Sequence, residues 1–320
     1  MQTSQHIGGF LGLDLIKHAL PFHLENLPLL TSARACMHFI LQQLKPELVY
    51  VPFYICDTLL EAFKVSKIPF QYYALNENLE PKVLPQLNSK EYFLWINYFG
   101  IKSTCTKRLF KQYNKQLIID NSQALFAPFH NTWGFNSARK FVGVPDGAFL
   151  FSPQKVKLNL LVNEDFVYSH LIEKTIGNQQ KAYQDFLKNE ALISTDLKAC
   201  SPLSKELIAH TNFEYIKEKR RLNFKYLHQQ LGEKNLLKWE IEEDAVPLCY
   251  PFLPSKYQDK KVFHQKGFYI PSYWQEVVSN PIKSFTFEKE FAQNLLPLPI
   301  DQQCEEEMLK KLVDFIVKLA

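Results

Sequence analysis

Glycine is scarce in this chain. Ten glycines among 320 residues are under half the roughly 7 % that proteins average. No G-x-G-x-x-G and no G-x-x-x-x-G-K-[ST] can be written from them, which excludes the glycine-rich phosphate cradles of dinucleotide-binding and P-loop proteins. Any phosphate bound here must be held another way. Long apolar runs are missing as well. No stretch approaches the ~18 uninterrupted apolar residues of a membrane span, and the opening MQTSQHIGGF has no basic segment leading into an apolar one. A soluble, cytoplasmic protein with no membrane partner is expected. The six cysteines form no C-x-x-C pair and have no histidine at zinc spacing, so reduced, packed thiols are expected rather than a metal site or a disulfide framework. The nine histidines contain no H-E-x-x-H. Net charge is small, +4, and spread along the chain, so no nucleic-acid partner is expected. The densest basic cluster, Lys217, Lys219, Arg220 and Arg221, lies beside Glu214 and Glu218 and reads as the solvated face of a helix.

What is present is an ordinary globular composition, 46 % apolar and 22 % charged, in a chain long enough for about two domains. From about residue 33 to 151 short apolar runs recur: Leu48–Val51, Phe70–Leu75, Tyr92–Asn97, Leu117–Ile119 and Ala148–Phe151. Runs apolar on both faces belong to covered sheets, and the spacing leaves room for crossover helices, so parallel βαβ units are expected. Ligands collect at the carboxyl ends of such strands, which directs attention to Asn97, Asp120 and the segment before Gly147. The second half reads as a smaller α+β domain. A long helical pattern from Leu203 to Leu231 leads to short strands at Leu248–Phe252 and Gly267–Ile270, then to a closing helix with Met308, Leu312, Phe315, Ile316 and Leu319 at helical spacing and Glu305, Glu306 and Glu307 in its first turn. A large α/β domain over residues 1–205 and a smaller one over 206–320 are expected.

Two segments carry chemistry. In LIIDNSQALF, Asp120 closes an apolar strand and Gln123 follows; in GFNSARKFVGVPDGAFLF, Lys140 precedes a glycine-flanked turn into the next strand. A carboxylate at one strand tip and a lysine just before the next suit pyridoxal phosphate. The amine can condense with the cofactor aldehyde, and the carboxylate can keep the ring nitrogen protonated. The bland readings are a surface lysine beside Arg139 and a helix-capping aspartate. Asp146-Gly147 reads as a turn in which glycine supplies a positive φ, and Tyr269, Tyr273 and Trp274 read as core rather than as a substrate platform.

These segments, in this order, resemble the DegT/DnrJ/EryC1 sugar aminotransferases, a group of fold-type-I pyridoxal-phosphate enzymes. IGGFLGLDL, LTSARACMHFIL, VYVPFYICDTLLEAF, IIDNSQAL, RKFVGVPDGAFLF, YIPSYW and LLPLPIDQQCEEEMLKKLVDFI are similar to successive parts of that family. The resemblance implies an α/β fold with a mostly parallel central sheet, helices on both faces and a smaller C-terminal α+β domain. It implies Lys140 as the cofactor lysine, six residues before Asp146, with Asp120 as partner of the ring nitrogen and Gln123 against the ring or its phenolic oxygen. Ala33, Arg34 and Ala35 would offer the phosphate a helix N-terminus, which binds anions without glycines, and Arg34 adds a charged donor. Tyr54 is implied as the aromatic stacked on the ring.

The chain also departs from the pattern. The position five before the lysine, usually serine, is Phe135, which leaves Asn136 and Ser137 as the nearest polar phosphate contacts. The interval from Asp120 to Lys140 is short, as if a strand or turn were trimmed. The asparagine loop by which a second subunit normally reaches the phosphate has no clear counterpart. The family implies a homodimer that takes an amino group from an amino acid, glutamate by habit, to a keto sugar, commonly nucleotide-linked, in surface polysaccharide biosynthesis. A protein of this fold without transaminase activity, serving as a binding or regulatory partner, stays open. A cofactor-free sugar transferase finds no D-x-D motif to support it, and the dehydratase branch of the family has histidine where this chain has Lys140.

Overall fold

The apolar runs of the first half form strands because both of their faces are covered, and one sheet collects them. The computed structural model describes residues 12–238, 242 and 245–319; Ile7–Phe10 of the opening IGGF segment lie outside these. In chain order the elements are β1 (Leu29–Leu30), α1 (Ala33–Leu44), β2 (Leu48–Pro52), α2 (Asp57–Ser66), β3 (Phe70–Tyr73), β4 (Glu91–Ile96), α3 (Ser103–Tyr113), β5 (Leu117–Asn121), β6 (Trp133–Asn136) and β7 (Ala148–Phe151). After them come α4 (Ser169–Thr175), α5 (Gln179–Leu192), α6 (Pro202–Ala209), α7 (Phe213–Leu231), β8 (Tyr250–Phe252), α8 (Lys260–Gln265), α9 (Gln275–Ser279), α10 (Thr286–Asn294), β9 (Leu296–Leu298) and α11 (Glu306–Leu319).

The seven-stranded sheet has the order β1-β7-β6-β5-β4-β2-β3. Strands β3, β2, β4, β5 and β6 run parallel, as the continuous apolar runs predict. The expected run Ala148–Phe151 is fully buried but pairs antiparallel to β6, and β1 pairs antiparallel to it in turn. Strand β6 is the element the apolar-run pattern misses, because its WGFN sequence contains one glycine and one polar residue in four positions. Its glycine is required: a Cβ at Gly134 would lie 2.7 Å from the Ile119 carbonyl oxygen. The short Asp120-to-Lys140 interval therefore still contains a whole strand, registered with Asp120 opposite Phe135.

Two further differences lie in the second half. The helical pattern Leu203–Leu231 breaks into α6 and α7, because Asn212 accepts the Tyr215 N–H at 3.0 Å and caps a new helix start. Gly267–Ile270 forms no strand; it leaves α8 through a turn with Gly267 at φ +82° and runs into Pro271. The two strands β8 and β9 pair antiparallel and, with α7 and α11, enclose a separate apolar core around Phe224, Tyr250, Phe263 and Ile316. In α11 the buried stripe is Leu309, Leu312, Val313 and Ile316, and Met308 is exposed. Five of the six cysteines are buried. Among the described residues no helix is long and apolar enough to cross a membrane.

The Asp146-Gly147 turn joins the pieces around Lys140. Gly147 has φ +127°, a conformation that L side chains rarely adopt, and its N–H donates to the Thr31 carbonyl at 2.8 Å. Asp146 is 1 % exposed and accepts from the Ser201 N–H (2.9 Å), the Ser201 hydroxyl (2.7 Å), the Asn163 amide (2.9 Å) and the Ser204 hydroxyl. Its charge is met by hydrogen bonds, and among the described residues no ion pair reaches it.

Candidate functional site

A cavity of about 190 Å³ opens at the carboxyl ends of the parallel strands. Most of its wall comes from residues at or just after the ends of strands. Ile55, Cys56, Thr58 and Leu59 follow β2, Ile96 ends β4, Asp120, Ser122 and Gln123 end β5, and Ser137, Arg139 and Lys140 follow β6. The start of α1, Ser32 to Arg34, closes one end, together with Glu190 and Ile193 from the end of α5, and Trp274 reaches in from the second half.

The structure brings Asp120 and Lys140 to this one cavity. Asp120 is 6 % exposed, and one of its carboxylate oxygens accepts the Ser122 N–H at 2.7 Å. Burial raises its pKa above the usual carboxylate range, against the opposing pull of the Lys140 ammonium and of the Ser122 hydrogen bond. A carboxylate in this state lacks a full counter-charge, and a cation placed beside it would hold it ionised. Lys140 ends a 3-10 turn, Ala138–Lys140, and its side chain is exposed. It also lines a second cavity of about 280 Å³ on its other side, walled by Arg220, Tyr269, Tyr273 and Gln302, so it stands between two spaces.

Gln123 is held on the wall by its side-chain oxygen Oε1, which accepts the Phe99 N–H at 2.7 Å; its buried amide NH2 has no partner. The close fit behind it explains one of the few glycines: Gly100 has φ +72°, and a Cβ there would meet the Gln123 carbonyl oxygen at 2.7 Å. At the α1 end, the Ser32 side chain accepts the Ala35 N–H at 3.1 Å. Ala35 is thus fully buried with its donor engaged, and it does not reach the cavity. The N–H groups of Ala33 and Arg34, the first two of the helix, remain for an anion. The Arg34 guanidinium donates to Glu61 at 3.0 Å and to the Ile193 carbonyl at 3.1 Å.

Five further expected positions differ. Tyr54 is fully buried away from the cavity, packed with Tyr98, Trp274 and Phe291, and its hydroxyl has no partner. The aromatic that lines the cavity is Trp274. Asn136 stays in the sheet, where its side-chain amide oxygen accepts the Phe149 N–H at 3.2 Å, while Ser137 lines the cavity. Tyr273 and Tyr269 face the second cavity rather than sitting wholly in core. Arg220, read from the sequence as part of a solvated face, is 2 % exposed. It donates to the Leu248 carbonyl at 2.8 Å and to the Lys140 carbonyl at 3.4 Å, and lies 4.6 Å over the Phe141 ring.

The residue that sequence reasoning passed over is Arg139. It lines the cavity and is ion-paired with Glu190 at a side-chain exposure of 17 %. Burial, then the nearby charge of Arg34, bring its pKa down to about 10, against the pull of Asp146. One end of the cavity therefore carries two guanidinium groups, two free backbone N–H groups and the Ser137 hydroxyl; the other carries a buried carboxylate short of a cation. This distribution fits a ligand with an anion at one end and a basic nitrogen at the other, and pyridoxal phosphate is such a ligand.

No model of a known protein family matches the sequence, and no relative is found among the curated proteins. Solved structures do resemble it. A sugar aminotransferase from Micromonospora echinospora superposes with a TM-score of 0.61 at 12 % identity, covering 91 % of this chain and 87 % of that one. A DegT DnrJ EryC1 StrS aminotransferase from Brucella abortus gives 0.62 at 11 % identity, covering 92 % and 86 %. NtdA from Bacillus subtilis, solved with bound cofactor PMP, gives 0.64 at 12 % identity, covering 92 % and 73 %. The resemblance read from the order of motifs holds over nearly the whole chain at the level of three-dimensional structure, and the chain has the α/β fold of the fold-type-I DegT/DnrJ/EryC1 sugar aminotransferases.

Proposed function

We propose that this chain is a pyridoxal-phosphate-dependent aminotransferase that moves an amino group from an amino acid, glutamate by resemblance, to a keto sugar. A nucleotide-linked sugar, surface polysaccharide biosynthesis, a cytoplasmic location and a homodimer belong to the same reading. One observation carries it: Lys140 and the buried Asp120 line a single cavity at the strands' carboxyl ends, within a fold shared with enzymes of this class. The cofactor, when bound, supplies an electron-accepting ring that lets the donor's Cα lose a proton. Lys140 would hold its aldehyde carbon through Nζ. Nζ of Lys140 would also be the base that takes the proton from the donor's Cα. Asp120 would hold a proton on the ring nitrogen, which meets the counter-charge its burial leaves short. Gln123 offers its unpartnered NH2 to the ring face or phenolic oxygen, Trp274 excludes water from one side, and Ala33, Arg34 and Ser137 offer donors to the phosphate. The second cavity beside Lys140 offers room for the sugar.

Purified wild-type protein mixed with pyridoxal phosphate should develop the visible absorbance band of a lysine-bound cofactor, and Lys140→Ala should not. A wild type that stays colourless overturns the proposal. A second reading, a protein of this fold without transfer activity, is favoured by the Arg139–Glu190 ion pair at the anion end of the cavity. Cofactor bound, with no amine transferred from any donor, would support it instead.

A further inference from the structure

At the anion end of the cavity, both arginines are held by the last turn of α5. Glu190 pairs with Arg139, and three residues on the Ile193 carbonyl accepts from Arg34 at 3.1 Å. This is the carboxyl end of a 14-residue helix, where the backbone dipole is negative. It faces the amino end of α1, where the dipole is positive and the Ala33 and Arg34 N–H groups are free. The two guanidiniums lie close enough for Arg34 to weigh on Arg139, an unfavourable arrangement for two partly buried cations unless an anion joins them. In the chain as it stands each has its own carboxylate, Glu61 for Arg34 at 3.0 Å and Glu190 for Arg139. The Glu190 side chain is 33 % exposed, against 17 % for Arg139, so the carboxylate can turn to water while the guanidinium stays in the wall.

We propose that Arg139 is the cation that meets the cofactor phosphate, and that Glu190 is its resident counter-ion, exchanged for the phosphate when the cofactor enters. The proposal rests on the cofactor reading above and adds a residue to it. The phosphate site would then be completed within one chain, by the residue immediately before the cofactor lysine. A guanidinium presents a fork of N–H donors that matches phosphate oxygens, so its loss removes charge-assisted hydrogen bonds. Glu190 acts in the opposite sense: it competes with the phosphate for Arg139, and its removal leaves the arginine waiting.

The test titrates wild type, Arg139→Gln and Glu190→Gln with pyridoxal phosphate and with pyridoxal, which lacks only the phosphate, and follows quenching of tryptophan fluorescence, Trp274 being in the wall. Arg139→Gln should weaken pyridoxal phosphate about ten- to a hundredfold and leave pyridoxal unchanged. Glu190→Gln should tighten pyridoxal phosphate severalfold, again without moving pyridoxal. Equal loss of both ligands in Arg139→Gln, no loss of either, or weaker pyridoxal phosphate binding in Glu190→Gln would overturn the proposal. Where Arg139→Gln does not fold, Arg139→Lys keeps the charge without the fork, and a loss confined to pyridoxal phosphate is expected. Should wild type bind neither ligand, the cofactor reading fails by itself. Inorganic phosphate then decides the exchange, since it must raise the melting temperature of Glu190→Gln more than that of wild type, and that of wild type more than that of Arg139→Gln or Arg139→Lys; equal shifts overturn it.

Discussion

Replacing Asp146 with alanine should cost more stability than any other single substitution near the site. Its carboxylate receives four donors: the Ser201 N–H, the Ser201 and Ser204 hydroxyls and the Asn163 amide. Ser201 and Ser204 are fully buried and Asn163 is 7 % exposed, so water does not readily replace the lost acceptor. Each donor stranded in this way costs about 1–3 kcal/mol. The sum is reduced because the two serine hydroxyls lie 3.0 Å apart and can pair with each other, which leaves an expected loss of about 3–5 kcal/mol. Ser204→Ala removes one of the four donors and also the acceptor of the Asp146 N–H at 3.3 Å, but leaves the carboxylate and its other three donors paired, so it should cost less, about 1–3 kcal/mol. Urea unfolding followed by circular dichroism measures both. The effect should extend to the site, because Gly147, beside Asp146, accepts the Ala138 N–H at 3.1 Å and so fixes the turn that carries Lys140; cofactor affinity should fall together with stability. A loss below about 1.5 kcal/mol in Asp146→Ala, less than two stranded donors should cost, would refute the reasoning.

Asp120→Asn should separate stability from function. Because burial raises the native pKa of Asp120, the native carboxyl holds its proton to higher pH than the unfolded one. Its penalty is absent below the unfolded carboxylate range, grows as pH rises through the raised native value, and is complete above it. Asparagine can keep the oxygen that accepts the Ser122 N–H, so Asp120→Asn should raise the melting temperature of the cofactor-free protein at about pH 7 and have no such effect at about pH 3. A lower melting temperature at neutral pH would count against this account, and the same substitution should weaken the cofactor's visible band. Tyr54→Phe deletes a buried hydroxyl without a partner, so stability should hold or rise and cofactor affinity should not change. Trp274→Ala strips a wall of the cavity and should weaken cofactor binding, titrated by the cofactor's visible band because the fluorescent reporter in the wall is gone.

How much of the site was legible depended on whether a residue's role is set locally. Asp120 could be placed at the cavity because it lies at the end of β5 and a parallel sheet sends its strand tips to one edge, whereas Lys140, on the turn after the unforeseen β6, was singled out by its glycine-flanked context and the family resemblance. The Asp146-Gly147 turn was readable because a positive φ at glycine is a backbone matter. Tyr54 was misplaced because the chain between β2 and α2 does not reveal which of its side chains turns toward the cavity; three aromatic partners from three different elements hold Tyr54 inward. Ala35 lost its expected role to a hydroxyl three residues earlier. Arg139 and Arg220 look like surface cations in sequence, since what buries them is remote: Glu190 lies 51 residues beyond Arg139, and the carbonyls that hold Arg220 are on other segments.

By itself the sequence determined the class of fold and singled out Asp120 and Lys140, which the structure brings to one cavity. Continuous apolar runs at crossover spacing can be satisfied by little except a covered parallel sheet, and the scarcity of glycine excluded a loop-type phosphate cradle. Tertiary structure alone decided the rest: that β6 fits between β5 and β7, that Trp274 comes from far along the chain to line the cavity, and that the anion end is built from Arg139, Arg34 and the end of α5. The physical reason is range. A strand, a cap or a glycine turn is selected by forces within a few residues, whereas a buried charge depends on a partner that only folding brings beside it.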